Sequence, residues 1–235
     1  MSKNSRLLHY AYVLDPSLPI GSFPFVSELR QHITEGSITA LEDVEAYMKC
    51  HMHSLMVSMD GMAIKGIYAA SKQYDGWRIA LIDKMLHAQR TPRDQLSSAR
   101  ISGQRLLKLG KALYPWIDFR DLQKILQRYR AVGTLPTVHA WINFQLGADM
   151  EQAVITYLNA AVNACVEEAT KQLNETQISK KQALQRIMKD MEQEWENGKD
   201  AEPVHSIKPF PAWNLGAAYA VNPLHHNKRM LPTHP

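Results

Sequence analysis

The sequence predicts an all-α protein, a single irregular helical bundle of about eight to ten helices with an extended C-terminal tail. Three observations carry that expectation. Strand-like alternation is scarce, and apolar residues recur at three- and four-residue steps in segment after segment. Residues that start helices (Thr, Ser, Asp) and residues that stop them (Gly) fall between those stripes. Finally, residues 199–235 hold six of the twelve prolines and no sustained stripe, so the helical pattern ends there.

The elements follow in order. Leu14-Asp15-Pro16 and then Ser17-Leu18-Pro19-Ile20-Gly21-Ser22-Phe23 place Pro and Gly in a turn, ahead of a helix at 24–34. The stripe Leu41, Val44, Met48, Met52, Leu55, Met59 steps by 3, 4, 4, 3 and 4, predicting one helix across 41–59. Thr39 and Glu42 offer a capping box at its start. Short helices are expected at 62–72, 78–88, 118–129 and 136–146. Thr91-Pro92 reads as an N-cap followed by proline at the first helical position, opening a helix that runs to Gly110 with a basic outer face. Asp149 caps a long helix through Ala153, Val154, Tyr157, Leu158, Ala161, Val162 and Cys165. Ser179 with Gln182 opens the last one, through Leu184, Ile187, Met188, Met191 and Trp195. Gly36, Gly110, Gly147 and Gly198 stand where helices need C-terminal stops. The chain thus divides into a helical domain, 1–198, and a Pro-rich tail, 199–235. Phe210, Trp213, Leu215 and Tyr219 mark that tail as extended or ordered by a partner.

Composition narrows the function classes. With 45% apolar and 21% charged residues, the chain can build a sizeable core. A formal charge of +4, from 27 basic and 23 acidic residues, is too small a surplus to imply nucleic acid. The cations Arg90, Arg93, Arg100, Arg105, Lys108 and Lys111 surround one helix, but Asp94 interrupts them and no aromatics interleave. They read as a solvated or protein-facing surface. No apolar run is long enough to span a membrane. Polar Met1 to Arg6 leads into Leu7-Leu8-His9-Tyr10 without the apolar core of a signal peptide. Cys50 and Cys165 fit reduced thiols, so a cytoplasmic location is expected.

Chemistry-bearing patterns are few. There is no Gly-rich phosphate loop ending in Lys-Ser/Thr, no His-Glu-x-x-His and no Gly-x-Ser-x-Gly. Cys50-His51-Met52-His53 gathers soft and borderline ligand types. On a helix, however, only Cys50 and His53 are neighbours at i, i+3, and two ligands make a weak site. His225, His226 and His234 in the tail could add others. No resident metal or cofactor is expected; the competing reading is a helical metal-binding enzyme that uses Cys50, His53 and nearby histidines.

Several short motifs occur in a telling order. Pro19-Ile20-Gly21-Ser22-Phe23 with Leu29 comes first, then Asp83, Ala88 and Arg90. Ser97-Ser98-Ala99-Arg100 follows, leading to Gly103-Gln104-Arg105-Leu106-Leu107, and after it come Gly133-Thr134-Leu135-Pro136-Thr137-Val138 and Leu146-Gly147. Together they resemble the UreF family of urease accessory proteins over roughly residues 14–185. The departures are Ser22, Phe25, Glu28 and Arg30 in the first motif, and Lys171 to Gln177, which keeps a basic residue and a Gln but not the family's Pro-Leu-Gly core. The resemblance implies a non-enzymatic, homodimeric scaffold or chaperone that binds UreD (also called UreH), recruits the GTPase UreG and assists nickel insertion into apo-urease. It also implies partner contacts at Pro19, Gly21, Phe23, Phe25, Leu29, Lys171, Gln177, Phe210 and Trp213.

Overall fold

Apolar stripes on ten consecutive helical segments fold onto one another with no strand among the described residues. The structure, a computed structural model, describes residues 23–89 and 93–200; the side chains of 24, 51–55 and 93–98 are outside that description. In chain order the helices are α1 (Pro24–Thr34), α2 (Leu41–His51), a π-helical segment (Met52–Gly61), α3 (Met62–Lys72), α4 (Gly76–Gln89), α5 (Arg93–Leu113), α6 (Arg120–Arg128), α7 (Leu135–Leu146), α8 (Met150–Gln172) and α9 (Gln177–Gly198).

Helix α7 is the centre. All its residues except Phe144 and Gln145 are buried, the mark of a helix that neighbours surround on every side. It packs against α3, α5 and α8. Helix α8 is the second spine, touching α1, α2, α3, α7, α9 and the π segment. Its buried residues Ala153, Val154, Tyr157, Leu158, Ala161, Val162, Cys165 and Val166 follow the expected stripe. On α9 the inward residues Ala183, Ile187, Met191 and Trp195 step by four, so one narrow edge meets α2, α8 and the π segment.

Boundaries show how local chemistry sets each element. Pro24 starts α1 and Pro136 lies in the first turn of α7, where a missing N–H costs nothing. Gly36 and Gly147 sit at φ of +74° and +75°, and the following residue of each donates to a carbonyl five positions back. This is the double hydrogen bond of a left-handed helix stop. Asp149 caps α8 by accepting from the Glu151 amide at 2.9 Å.

Four expectations need correction. The predicted helix over 41–59 is α-helical only to His51 and then widens into the π segment, which runs on into α3. The carboxylate that closes the α2 start is Asp43, not Glu42: its Oδ2 accepts from the Thr39 and Ala40 amides at 2.8 and 3.1 Å. Helix α9 is capped by Thr176, whose side chain accepts from the Ser179 amide at 3.1 Å, so it begins before the expected Ser179. Gly110 lies inside α5 rather than ending it. A Cβ there would come within 2.9 Å of Ile142 Cδ1 and 3.0 Å of Phe119 Cζ, so this glycine permits close packing.

A tighter approach occurs at Gly103 on α5. A Cβ at that position would lie 2.0 Å from the Gly133 carbonyl oxygen and 2.7 Å from the Thr134 carbonyl carbon. Both are backbone atoms and cannot swing away. Gly103→Ala is therefore expected to lower stability by about 3 kcal/mol or more, whereas Gly36→Ala, which meets open space but a left-handed backbone, should cost about 1 kcal/mol. Urea denaturation midpoints of the two variants check the order.

Candidate functional site

Asp83 on α4 is completely buried and accepts four hydrogen bonds. Its Oδ2 takes the Val132 and Gly133 amides at 2.6 and 2.9 Å. Its Oδ1 takes the Thr134 amide at 2.7 Å and the Thr134 hydroxyl at 2.9 Å. Because the Thr134 hydroxyl donates to Asp83, the Thr137 hydroxyl, 3.0 Å away, donates to it in turn. The carboxylate thus stands at the N-terminus of α7, where free amides and the helix dipole both favour negative charge. With Gly103 against the same loop, Asp83, Gly103 and Gly133-Thr134-Leu135, far apart in sequence, form one junction.

A second polar group lies deeper. Asp60, in the π segment, is fully buried, and Tyr157 on α8 donates its hydroxyl to Asp60 Oδ2 at 2.9 Å. The Tyr157 ring lies edge-on to Phe23 at 5.3 Å and tilted to His139 at 5.4 Å. His139 is buried as well; its Nε2 lies 2.9 Å from the Ala153 carbonyl, and Asn143 Nδ2 lies 3.2 Å from its Nδ1. Donation from Nε2 and acceptance at Nδ1 fit a neutral ring. Burial holds its pKa down to about 4, against the partial opposition of the Ala153 carbonyl. Both ring nitrogens are engaged by this chain.

Sequence reasoning missed Asp60 and His139 as interior groups and did not distinguish Asp83 from its neighbours. The signals were a lone acid within the Met-rich run 52–64 and a His139/Asn143 pair at i, i+4 on an otherwise apolar helix.

The residues expected to meet partners fall in three places. Phe23, Phe25 and Leu29 are core residues, 7%, 2% and 0% exposed, so in this fold their apolar surface serves the chain itself. The Phe25 carbonyl accepts the Tyr47 hydroxyl at 3.1 Å, tying α1 to α2. Lys171 and Gln177 are exposed on either side of the α8–α9 turn, with Lys171 3.9 Å from Glu167. Pro19, Gly21, Phe210 and Trp213 lie outside the described residues, as does the 199–235 tail beyond residue 200.

The two metal-ligand candidates are not brought together within the described atoms. Cys50 is exposed at the end of α2, and the His53 side chain is outside the description. Among the described residues no three of His, Cys, Asp and Glu converge as a metal site. Cys165 is buried, and desolvation, with a smaller contribution from Glu168, pushes its thiol well above the usual range. No described helix is long and apolar enough to cross a membrane.

These features define a class: an all-α bundle whose described interior acids and histidine fasten helices to one another. The UreF family model matches residues 38–188. The chain is similar to the urease accessory protein UreF of Lachnoclostridium phytofermentans, with 27% identity over 72% of this chain and 74% of the relative. It is 26% identical to that of a Bacillus species (strain TB-90) over 91% and 90% of the two chains. The UreF of an Arthrobacter species (strain FB24) is 24% identical over 75% and 76%. The chain belongs to the UreF family.

The junction and the buried histidine give two expected outcomes. Asp83→Ala strands three amides and a hydroxyl and should cost about 3 kcal/mol or more, read as a lowered urea midpoint. His139 has a folded pKa below its unfolded value near 6.5, so its contribution is complete above pH 6.5 and is lost as pH falls towards 4. The loss is on the order of 3 kcal/mol at most. His139→Gln, which can still donate to Ala153, should flatten that part of the stability-pH curve.

Proposed function

We propose that this chain is a urease accessory protein that works as a scaffold rather than by bond chemistry. The observation that carries the reading is the family match over residues 38–188, supported by relatives of similar length that bear that name. The buried carboxylates and imidazole described above are consistent with it, because their hydrogen bonds serve the fold. In this reading the chain acts in the cytoplasm as a dimer, binds UreD (UreH) and recruits the GTPase UreG to apo-urease. Successive interfaces then hold nickel donor and acceptor together, which raises their effective concentration and spares the ion passage through bulk water.

Contact surfaces are assigned to the exposed turn between Lys171 and Gln177 and to the 199–235 tail, with Phe210 and Trp213 as apolar anchors. The 17–30 segment contributes through residues other than its buried Phe23, Phe25 and Leu29, since those already pack inside the chain.

Deleting the gene is expected to reduce urease activity to background at limiting nickel, with partial recovery when nickel is in excess. Urease assays on the deletion strain with and without added nickel check this, and unchanged activity at limiting nickel overturns the reading.

A further inference from the structure

We infer that the exposed face of α5 is a docking surface for an acidic protein; this rests on the scaffold reading above. Arg100, Arg105, Lys108 and Lys111 are all exposed. At 100° per residue they fall, with Ile101, Gln104 and Ala112, inside an arc of about 140°. The opposite side of the helix, Ala99, Ser102, Gly103, Leu106 and Gly110, is buried in the bundle. The cations therefore form one continuous strip about 16 Å long.

Among the described residues its charge is uncompensated. No acidic residue occurs between Asp94 and Asp118, and Asp118 is committed to Arg120 at 2.7 Å. Several other surface cations of this protein have carboxylates beside them. Arg30 pairs with Glu168, Lys124 with Asp121, Lys180 and Lys171 with Glu167, Arg186 with Glu45, and Lys199 with Glu151 and Glu196. Among the described residues, no carboxylate pairs with the four cations of the α5 strip. Arg105, Lys108 and Lys111 follow one another at three-residue spacing, where like charges destabilise a helix. An anionic surface laid along the strip relieves that repulsion and supplies electrostatic complementarity.

Apolar side chains indicate the class of partner. Ile101 is 45% exposed within the strip, and Leu113 and Trp116, 38% and 54% exposed, stand at its C-terminal end. Arginine with a tryptophan and aliphatic neighbours is the composition of a protein interface. A nucleic-acid groove needs aromatic side chains interleaved with the cations, but Trp116 lies at one end, edge-on to Tyr114 at 5.7 Å. A helix lying on a membrane needs its apolar face free for lipid; here that face is in the core.

The test uses the full chain co-expressed with UreD, UreG and the urease subunits, comparing wild type, R105E/K108E and R105K/K108R. The expected result is a wild-type complex that weakens with added salt. Affinity should fall about tenfold or more in the charge-reversed variant and persist in the conservative one, with helix content and urea midpoint unchanged. Should the double reversal fail to fold, K111E near the helix end carries the same comparison. Equal assembly and equal salt dependence in wild type and reversed variant overturn the surface assignment alone. Absence of any wild-type complex overturns the scaffold reading and this inference together. Binding of the purified chain to duplex DNA, to phosphatidylserine vesicles or to a second copy of itself, lost in R105E/K108E, reassigns the strip and overturns the acidic-protein partner.

Discussion

A buried carboxylate with no freedom to choose its partners organises this bundle. Asp83 collects the amides of residues 132–134 and so fixes the point where the chain turns into α7. Leaving such groups unpaired in the interior costs roughly 1–3 kcal/mol each, so the loop and α4 hold together or both lose their place. Because α7 is the helix that α3, α5 and α8 enclose, its starting position sets the register of the core. Gly103 lets the α5 backbone rest on the same loop, and any side chain there would push the two apart.

The helices were largely legible in the sequence, and the interior polar groups were not. Helices 24–34 and 62–72 agree with α1 and α3 because their limits are marked by proline, glycine or a clear stripe. The widening after His51 left no trace, since Met52, Leu55 and Met59 satisfy ordinary helical spacing equally well. At Thr39 two adjacent acids, Glu42 and Asp43, offered alternative caps, and only the backbone geometry chooses the second. Asp83 could be named as part of a motif, yet its four donors lie some fifty positions away, beyond the reach of local pattern. For Phe25 and Leu29, expected as partner contacts, helical spacing carried the other answer: with Val26 they form an inward stripe of buried residues.

Interior and exterior follow different electrostatic rules here. Inside, Asp83 and His139 are held by hydroxyl, amide and carbonyl groups, which tie helices without requiring a second charge. Outside, ion pairs such as Arg30 with Glu168 and Arg186 with Glu45 bridge α1 to α8 and α9 to α2. Exposed pairs of this kind contribute little stability, but they consume surface charge that would otherwise attract other molecules. Among the described residues, no carboxylate consumes the charge of Arg100, Arg105, Lys108 and Lys111 in this way.

The π segment has a geometric consequence for the rod formed by residues 41–72. Each wide turn takes up one residue more than an α turn, so the segment acts as a phase adjuster between the two helices it joins. Removing or adding a single residue there would swing α3 by about 100° relative to α2, turning Ile64 and Ile67 away from the centre. The residue count of this stretch, and not only its hydrophobicity, is what keeps both halves of the rod facing the same interior.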